Sequence, residues 1–430
     1  MRIAVVGTGI SGMTAAYRLQ DRHELTVFEA NGYIGGHTNT VDVEAGGRTW
    51  AVDTGFIVFN DWTYPNFIAL MDRLGVESQP SNMSFSVHCE RTGLEYCGSS
   101  LNQLFAQRRN IVSPGFYGMI ADILRFNRES LGLLETGDDR LSLGEYLEQG
   151  RYGRRFVEHY IIPMGAAIWS SSPDRMYRFP ARYFVEFFSN HGMLNVKNRP
   201  TWRVIKGGSR AYVGKLVSGF RDRIRLNTPV ESVRRHAGGV IVHAGGDSGE
   251  FDAVIMACHS DQALRLLADP GADESEILGA IPYQPNEAVL HTDTRLLPDR
   301  RIAWSAWNYH IPKDDRASVA LTYDMNILQS LDAPVEFCVT LNHDDLIAED
   351  QILRRIAYDH PVYTPEGIAA QKRLGEINGA RRTFFAGAYW GFGFHEDGVK
   401  SGMAAADAVE AWALQGVRER GEQLPLRRAG

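Results

Sequence analysis

The 430-residue chain has only four cysteines, Cys89, Cys97, Cys258 and Cys338. None forms a CxxC pair or a zinc-like spacing, so no metal site is expected. Scattered cysteines in a chain this long suggest a reducing, cytoplasmic setting. The sequence has no run of about 20 apolar residues, so nothing in it is expected to span a membrane. A net charge of −7 gives no reason to expect nucleic acid as a partner. No second GxGxxG occurs, and no lysine lies between positions 216 and 312.

What is present is an ordinary globular composition, 44% hydrophobic and 23% charged. The length exceeds what one compact core usually holds, and two domains are expected. The opening "MRIAVVGTGISGMTAA" has a short basic start followed by small apolar residues. Three glycines at fixed spacing interrupt it, which no leader needs, and residue 1 reads as the mature N-terminus.

"RIAVVGTGISGMTAAYRLQDRHELTVFEA" has the pattern of a βαβ unit. Ile3 to Val6 is a continuous apolar run, as a strand buried on both faces requires. Gly7 suits the tight turn, Gly9 lets the backbone approach a pyrophosphate, and Gly12 lets the helix pack close to the strand. Ser11 lies in the same first helical turn, whose amides form an anion site. Glu29, twenty positions after Gly9, suits the hydroxyls of an adenosine ribose.

Next, "NGYIGGHTNT" supplies a second glycine loop, Gly35 and Gly36, with His37 and Thr38 as polar contacts. "TWAVDTGFIVFN" follows and brings Asp53 and Gly55 into a further turn, with Phe56 and Ile57 after it. This succession resembles the flavin-containing amine oxidase superfamily, in which a GG-Arg-x-x-T motif follows the ribose-binding acid; here His37 stands at the arginine position. The resemblance implies FAD, an α/β fold with a Rossmann-type FAD-binding domain of amine oxidase type, and an inserted α+β substrate domain. A single dinucleotide site also favours FAD, because a flavin holds electrons between half-reactions.

The block 227–264 reads as short strands, a hairpin at "HAGGDSG" and a buried strand ending at Cys258. By resemblance, Val230 contacts adenine through its backbone. Near the end, "RTFFAGAYW" closes a strand on Gly387, and "GFGFHEDGVKSG" leads into a helix. The helix start is expected around Gly398 and Val399, with Asp397 as cap. Gly398 would allow close approach of the flavin, and the Val399 amide would face its N1 and C2 carbonyl edge. His395 and Glu396 arrive beside the ring.

The expected domains are 1–75, 200–265 and 380–425 for FAD, and 76–199 and 281–375 for substrate. The first substrate segment reads as helical, the second as strands. Helix 116–134, with Phe116, Ile120, Ile123, Leu124, Arg125 and Arg128, is open to two readings: packed on the core, or lying at a lipid surface. The lysine that amine oxidases place near flavin N5 has no counterpart, and neither has an SGGC cysteine for covalent attachment. Non-covalent FAD is therefore expected, and simple amine oxidation is not.

"FPARYFVEFFSNHGML", "WRVIKGGSRAYV", "AWSAWNY", "LTYDMNILQSL", "HPVYTP" and "GFGFHEDGVKSG" resemble a narrower family. Its members are FAD proteins encoded beside, or fused with, cyclopropane-fatty-acid synthases. That resemblance implies a lipid substrate, a lipid methyltransferase as possible partner, and at most peripheral membrane contact. The expected reaction is hydride removal from an acyl chain or similar apolar substrate, with oxygen as electron acceptor. His395, Glu396 or His191 would take the proton. The alternatives are an amine oxidase, a redox partner of the methyltransferase, and isomerisation without net redox change.

Overall fold

A computed structural model describes residues 1–137, 139–313 and 320–419. The chain divides into two compact units. The first comprises Met1–Gly36, Tyr212–Ile281 and the chain from Glu366 onward; the second comprises His37–Ala211 and Pro282–Pro365.

The first unit is built on β1 (Arg2–Val6), α1 (Ile10–Leu19) and β2 (Glu24–Phe28). Only Arg2 of β1 is exposed, because β1 is the middle strand of a five-stranded sheet. The order is Ile224–Arg225, β2, β1, Ala253–Met256, Thr383–Phe385, all parallel. A strand between two parallel neighbours buries both faces, which explains its unbroken apolar run. The hairpin is present: Val240–Ala244 and Asp247–Phe251 pair antiparallel around Gly245 and Gly246, at φ +59° and +81°. A two-residue turn of this hand needs positive φ at both positions. The strand expected to run on to Cys258 divides at Asp252 and ends at Met256, because its first half belongs to the hairpin and its second to the parallel sheet.

The second unit holds a seven-stranded mixed sheet. Its order is Ile352–Pro361, Tyr283–His291, Cys338–Leu341, Leu321–Asp324, Trp307–Ile311, Phe85–Cys89, Leu94–Cys97. A helical stretch runs from Leu101 to Asn190. The single helix expected over 116–134 is two, Pro114–Glu129 and Gly132–Thr136. The aromatic density of this stretch is core: Phe184 stacks on Phe188 with centroids 4.1 Å apart, and Trp169 lies 4.5 Å from Phe179.

The expected domain boundaries at 75/76 and 199/200 do not coincide with the compact units. Strand Trp202–Ile205 pairs with both Val58–Asn60 and Ser78–Pro80, so one small sheet joins segments from both sides of each cut. Residues 37–75 and 200–211 therefore group with the second unit. Residues 420–425 of the expected FAD domain lie outside the described residues, as do 138 and 314–319 of the substrate segments.

Candidate active site

The first unit carries a cradle at the turn between β1 and α1. Gly7 has φ +106°, and a Cβ there would sit 2.7 Å from the Ala257 carbonyl oxygen. A Cβ on Gly12 would overlap the Gly7 carbonyl oxygen. Gly9 differs: a Cβ would meet nothing within 4 Å. Gly9 is the N-cap of α1, no side chain caps the helix, and the first turn carries no acid. The amides that a helix start leaves without intrahelical partners are thus not taken by a capping side chain, as an anion site requires. Gly36 stands against this opening, 3.2 Å from the Gly9 Cα when given a Cβ, and Gly35 N donates to Thr8 Oγ1 at 3.2 Å.

Glu29 is buried at the end of β2. One carboxylate oxygen accepts from the amide and hydroxyl of Thr8, the other from the amide and side chain of Asn31. A carboxylate has about four acceptor positions, and all are used. A ribose hydroxyl would bind by replacing one of the two side-chain donors. The chain just before Val230 reaches the end of β2: Thr228 N donates to the Glu29 carbonyl at 2.9 Å and Asn227 N to the Asn31 carbonyl at 3.0 Å, while Val230 packs against the core that includes Phe28. The open glycine, the uncapped helix start and the acid together fit an adenine dinucleotide.

The C-terminal helix spans His395–Glu419, so it starts three residues earlier than the sequence suggests. Asp397 is its third residue, and Asp397 Oδ2 accepts from the Phe394 amide at 3.2 Å. A carboxylate reaching back to the preceding loop caps a helix as well as one placed before it. Burial pushes the Asp397 carboxyl up to about 6. The tightness at Gly398 is helix on helix: its Cβ would lie 2.5 Å from Ile10 Cγ2 and 3.1 Å from Ser11 Oγ. Gly402 would likewise overlap the Ser11 carbonyl oxygen. Gly398 N already donates to the Phe394 carbonyl, so the amide of buried Val399 belongs to the helix ladder rather than to its open end. Gly387 N donates to Ser401 Oγ at 3.0 Å, tying the strand exit to the second turn of this helix.

His395 and Glu396 are both buried. His395 Nε2 lies 3.0 Å from the hydroxyl of Tyr212, a fully buried residue that nothing in the sequence marks. Burial lowers the imidazole to about 3, so it is neutral at physiological pH.

The remaining expected residues lie in the second unit. Phe56 N donates to the His37 carbonyl at 2.7 Å, and Gly55 packs against the same carbonyl. Thr38, Phe56 and Ile57 are buried. The His37 ring stacks on Tyr358, centroids 4.8 Å apart. His191 caps the C-terminus of helix Ala181–Asn190; its Nδ1 is 2.9 Å from the Phe187 carbonyl, and burial lowers it to about 4. Asp53, marked in the sequence only as part of a turn, is a fully buried anchor. It accepts from Ser209 N at 2.9 Å, Ser209 Oγ at 2.8 Å and Gln329 Nε2 at 3.0 Å, and burial raises it to about 6. The partner Ser209 stands in "KGGS", where spacing gives no hint of Asp53. Among the described residues one group could hold a cation, His88, Glu95 and Asp299, but Glu95 already accepts from Arg300 at 2.9 Å and from Asp299 N at 3.2 Å.

Residues 10–316 match the family described as flavin containing amine oxidoreductase. The chain is similar to a putative flavin-containing monoamine oxidase AofH of Mycobacterium tuberculosis, 25% identical over 288 residues. That match covers 62% of this chain and 59% of the relative. In fold it is similar to cyclohexylamine oxidase from Brevibacterium oxydans, with TM-score 0.69, 16% identity, and coverage of 96% of this chain and 99% of that one. A fatty acid isomerase of P. acnes, described as CLA-producing, gives TM-score 0.64 at 17% identity over 95% and 98% of the two chains. The matched span takes in α1, β2 with Glu29, and the Ala253–Met256 strand, and the chain belongs to the flavin-containing amine oxidoreductase family, with FAD as its cofactor.

Proposed function

We propose that the protein is an FAD-dependent oxidoreductase that removes a hydride from a C–H of an acyl chain or similar apolar substrate, leaving a double bond. FAD, when bound, supplies the hydride acceptor. Gly9 and the start of α1 hold the pyrophosphate, and Glu29 the ribose. The observation that carries the substrate class is His395, buried, uncharged above about pH 3 and hydrogen-bonded to the hydroxyl of Tyr212. The pair itself brings no counter-charge for an ammonium ion, and the carboxylate beside it, Glu396, is the group proposed to take the proton.

A base that works near neutral pH needs a pKa near that pH. His395 at about 3 and His191 at about 4 are both poor matches. Glu396, buried beside His395 in the first turn of the same helix, is proposed by its position to take the proton. His395 then orients rather than accepts. Molecular oxygen is the proposed final electron acceptor. The resemblance to flavoproteins linked with cyclopropane-fatty-acid synthases supports a lipid substrate. The likeness to a fatty acid isomerase indicates that this fold admits one.

The second reading is oxidation of a small amine, favoured by the relative described as a monoamine oxidase. Mixing the purified yellow protein with substrate under anaerobic conditions separates the two. Bleaching of the flavin band by phospholipid or free fatty acid, and not by mono- or polyamines, is the expected result. Bleaching by amines alone sinks the lipid reading, and conversion of lipid without oxygen uptake points to isomerisation. In a deletion strain the fatty-acid profile should change.

A further inference from the structure

In the second unit, the segment leading into helix Pro114–Glu129 presents apolar side chains to solvent. Val112 is 81% exposed, Leu101 76%, and Ile111, Tyr117 and Leu124 about half. The Phe105 ring lies 5.7 Å from Phe116 and 6.0 Å from Tyr117, so the turn and the helix start form one continuous surface. Along the helix, Phe116, Met119 and Phe126 are buried, while Pro114, Tyr117, Gly118, Ala121 and Leu124 line the outer face at helical spacing. The outer face of a surface helix is ordinarily polar. Here both faces are apolar.

Three cations border this ridge without a carboxylate partner among the described residues. Arg108 donates to the Phe105 carbonyl and to Asn102, Arg109 to the Gly93 carbonyl, and Arg155 to Ser113 Oγ. Among the described residues none of these three arginines is paired with a carboxylate. The acids of the helix are already engaged, Asp122 with Arg125 at 2.9 Å and Glu129 with Arg128 at 3.0 Å. An uncompensated cationic rim on a chain of net charge −7 selects an anionic partner.

We propose that this face docks on the surface of an anionic phospholipid bilayer. Ile111 and Val112 enter the acyl boundary, Tyr117 and Leu124 lie at the headgroup level, and Arg108, Arg109 and Arg155 meet phosphates. A protruding pair of aliphatic side chains needs no matching pocket in a fluid surface, as it would in a protein partner. Among the described residues no helix is long and apolar enough to cross a membrane, so the contact is with one leaflet. This docking stands apart from the substrate assignment and survives if the substrate is an amine.

Sedimentation of the flavin-loaded protein with vesicles tests it. Vesicles of phosphatidylcholine with phosphatidylglycerol should carry the protein down at low salt and release it at high salt, and phosphatidylcholine alone should bind weakly. The double variant Ile111→Asp, Val112→Asp should bind the anionic vesicles at least about tenfold more weakly, with an unchanged melting temperature because both side chains are solvent-exposed. Three results would overturn the proposal: wild type that stays in the supernatant with anionic vesicles, a double variant that binds as well as wild type, or a wild-type dimer by light scattering that the double variant abolishes.

Discussion

Two helices in the first unit cross at their N-terminal turns, and they use the positive ends of their dipoles in opposite ways. At the start of α1 nothing fills the end: Gly9 has open space around its Cα, there is no cap, and the first turn holds no acid. At the start of the C-terminal helix the end is already answered. Glu396 and Asp397 lie in the first turn, and Asp397 reaches back to the loop amide of Phe394. A helix start binds an external anion only where the chain has left its amides without acceptors. The first end is left open to an external anion, and the second carries two acids of its own, one of which takes the amide of the loop residue before it. Gly398 and Gly402 serve the crossing of the two helices rather than an opening.

The comparison breaks first at Gly398. Gly398→Val puts side-chain atoms into Ile10 and Ser11, and overpacking of this kind should cost about 3 kcal/mol. The expected outcome is a lower denaturation midpoint in flavin-free protein as well as in loaded protein. Full stability with selective loss of flavin would show that the glycine faces the cofactor after all. Gly9→Ala is the converse test. Its Cβ meets nothing and its φ of −62° suits any residue, so stability should hold within about 0.5 kcal/mol. Flavin affinity should fall about tenfold, because the methyl group occupies the space through which the pyrophosphate approaches. Equilibrium dialysis reads the affinity; unchanged binding would mean that the dinucleotide does not lie against this turn.

The same contrast explains what could be read from the residues in advance. The α1 end was legible because its signal is local: an apolar strand, three spaced glycines and an acid twenty positions on specify one turn and one helix. The C-terminal helix was legible as an element but not in register, because Asp397 caps equally well from before the helix or from its third position. Tyr212 beside His395, and Ser209 beside Asp53, are pairs separated by 183 and 156 positions. No spacing rule reaches that far; only the tertiary fold brings them together. The domain boundaries were misplaced for a related reason: one three-stranded sheet joins residues 58–60, 78–80 and 202–205, and periodicity within any one strand does not name its partners.

The remaining effect concerns pH. Burial raises the Asp397 carboxyl from its ordinary 3.8 to about 6, the loop amides pulling the other way. Between those values the folded chain still holds a proton that the unfolded chain has released. Stability is therefore greater at the acid end of this window and falls as pH rises from about 4 to about 6. Asp397→Asn keeps an oxygen for the Phe394 amide and cannot titrate. The stability difference between wild type and variant should shift by about 2 kcal/mol across the window and stay level above it. Asp53, raised into the same range in the second unit, titrates in both proteins and cancels from the difference. Melting temperatures from pH 4 to pH 7 supply the measurement. Gly9→Ala provides the contrast, because the bare start of α1 has no ionisable cap and its profile should run parallel to wild type throughout. A level difference for Asp397→Asn would show that its carboxylate is well solvated, and the C-terminal helix would then have a free, charged end able to repel an anion rather than one already satisfied.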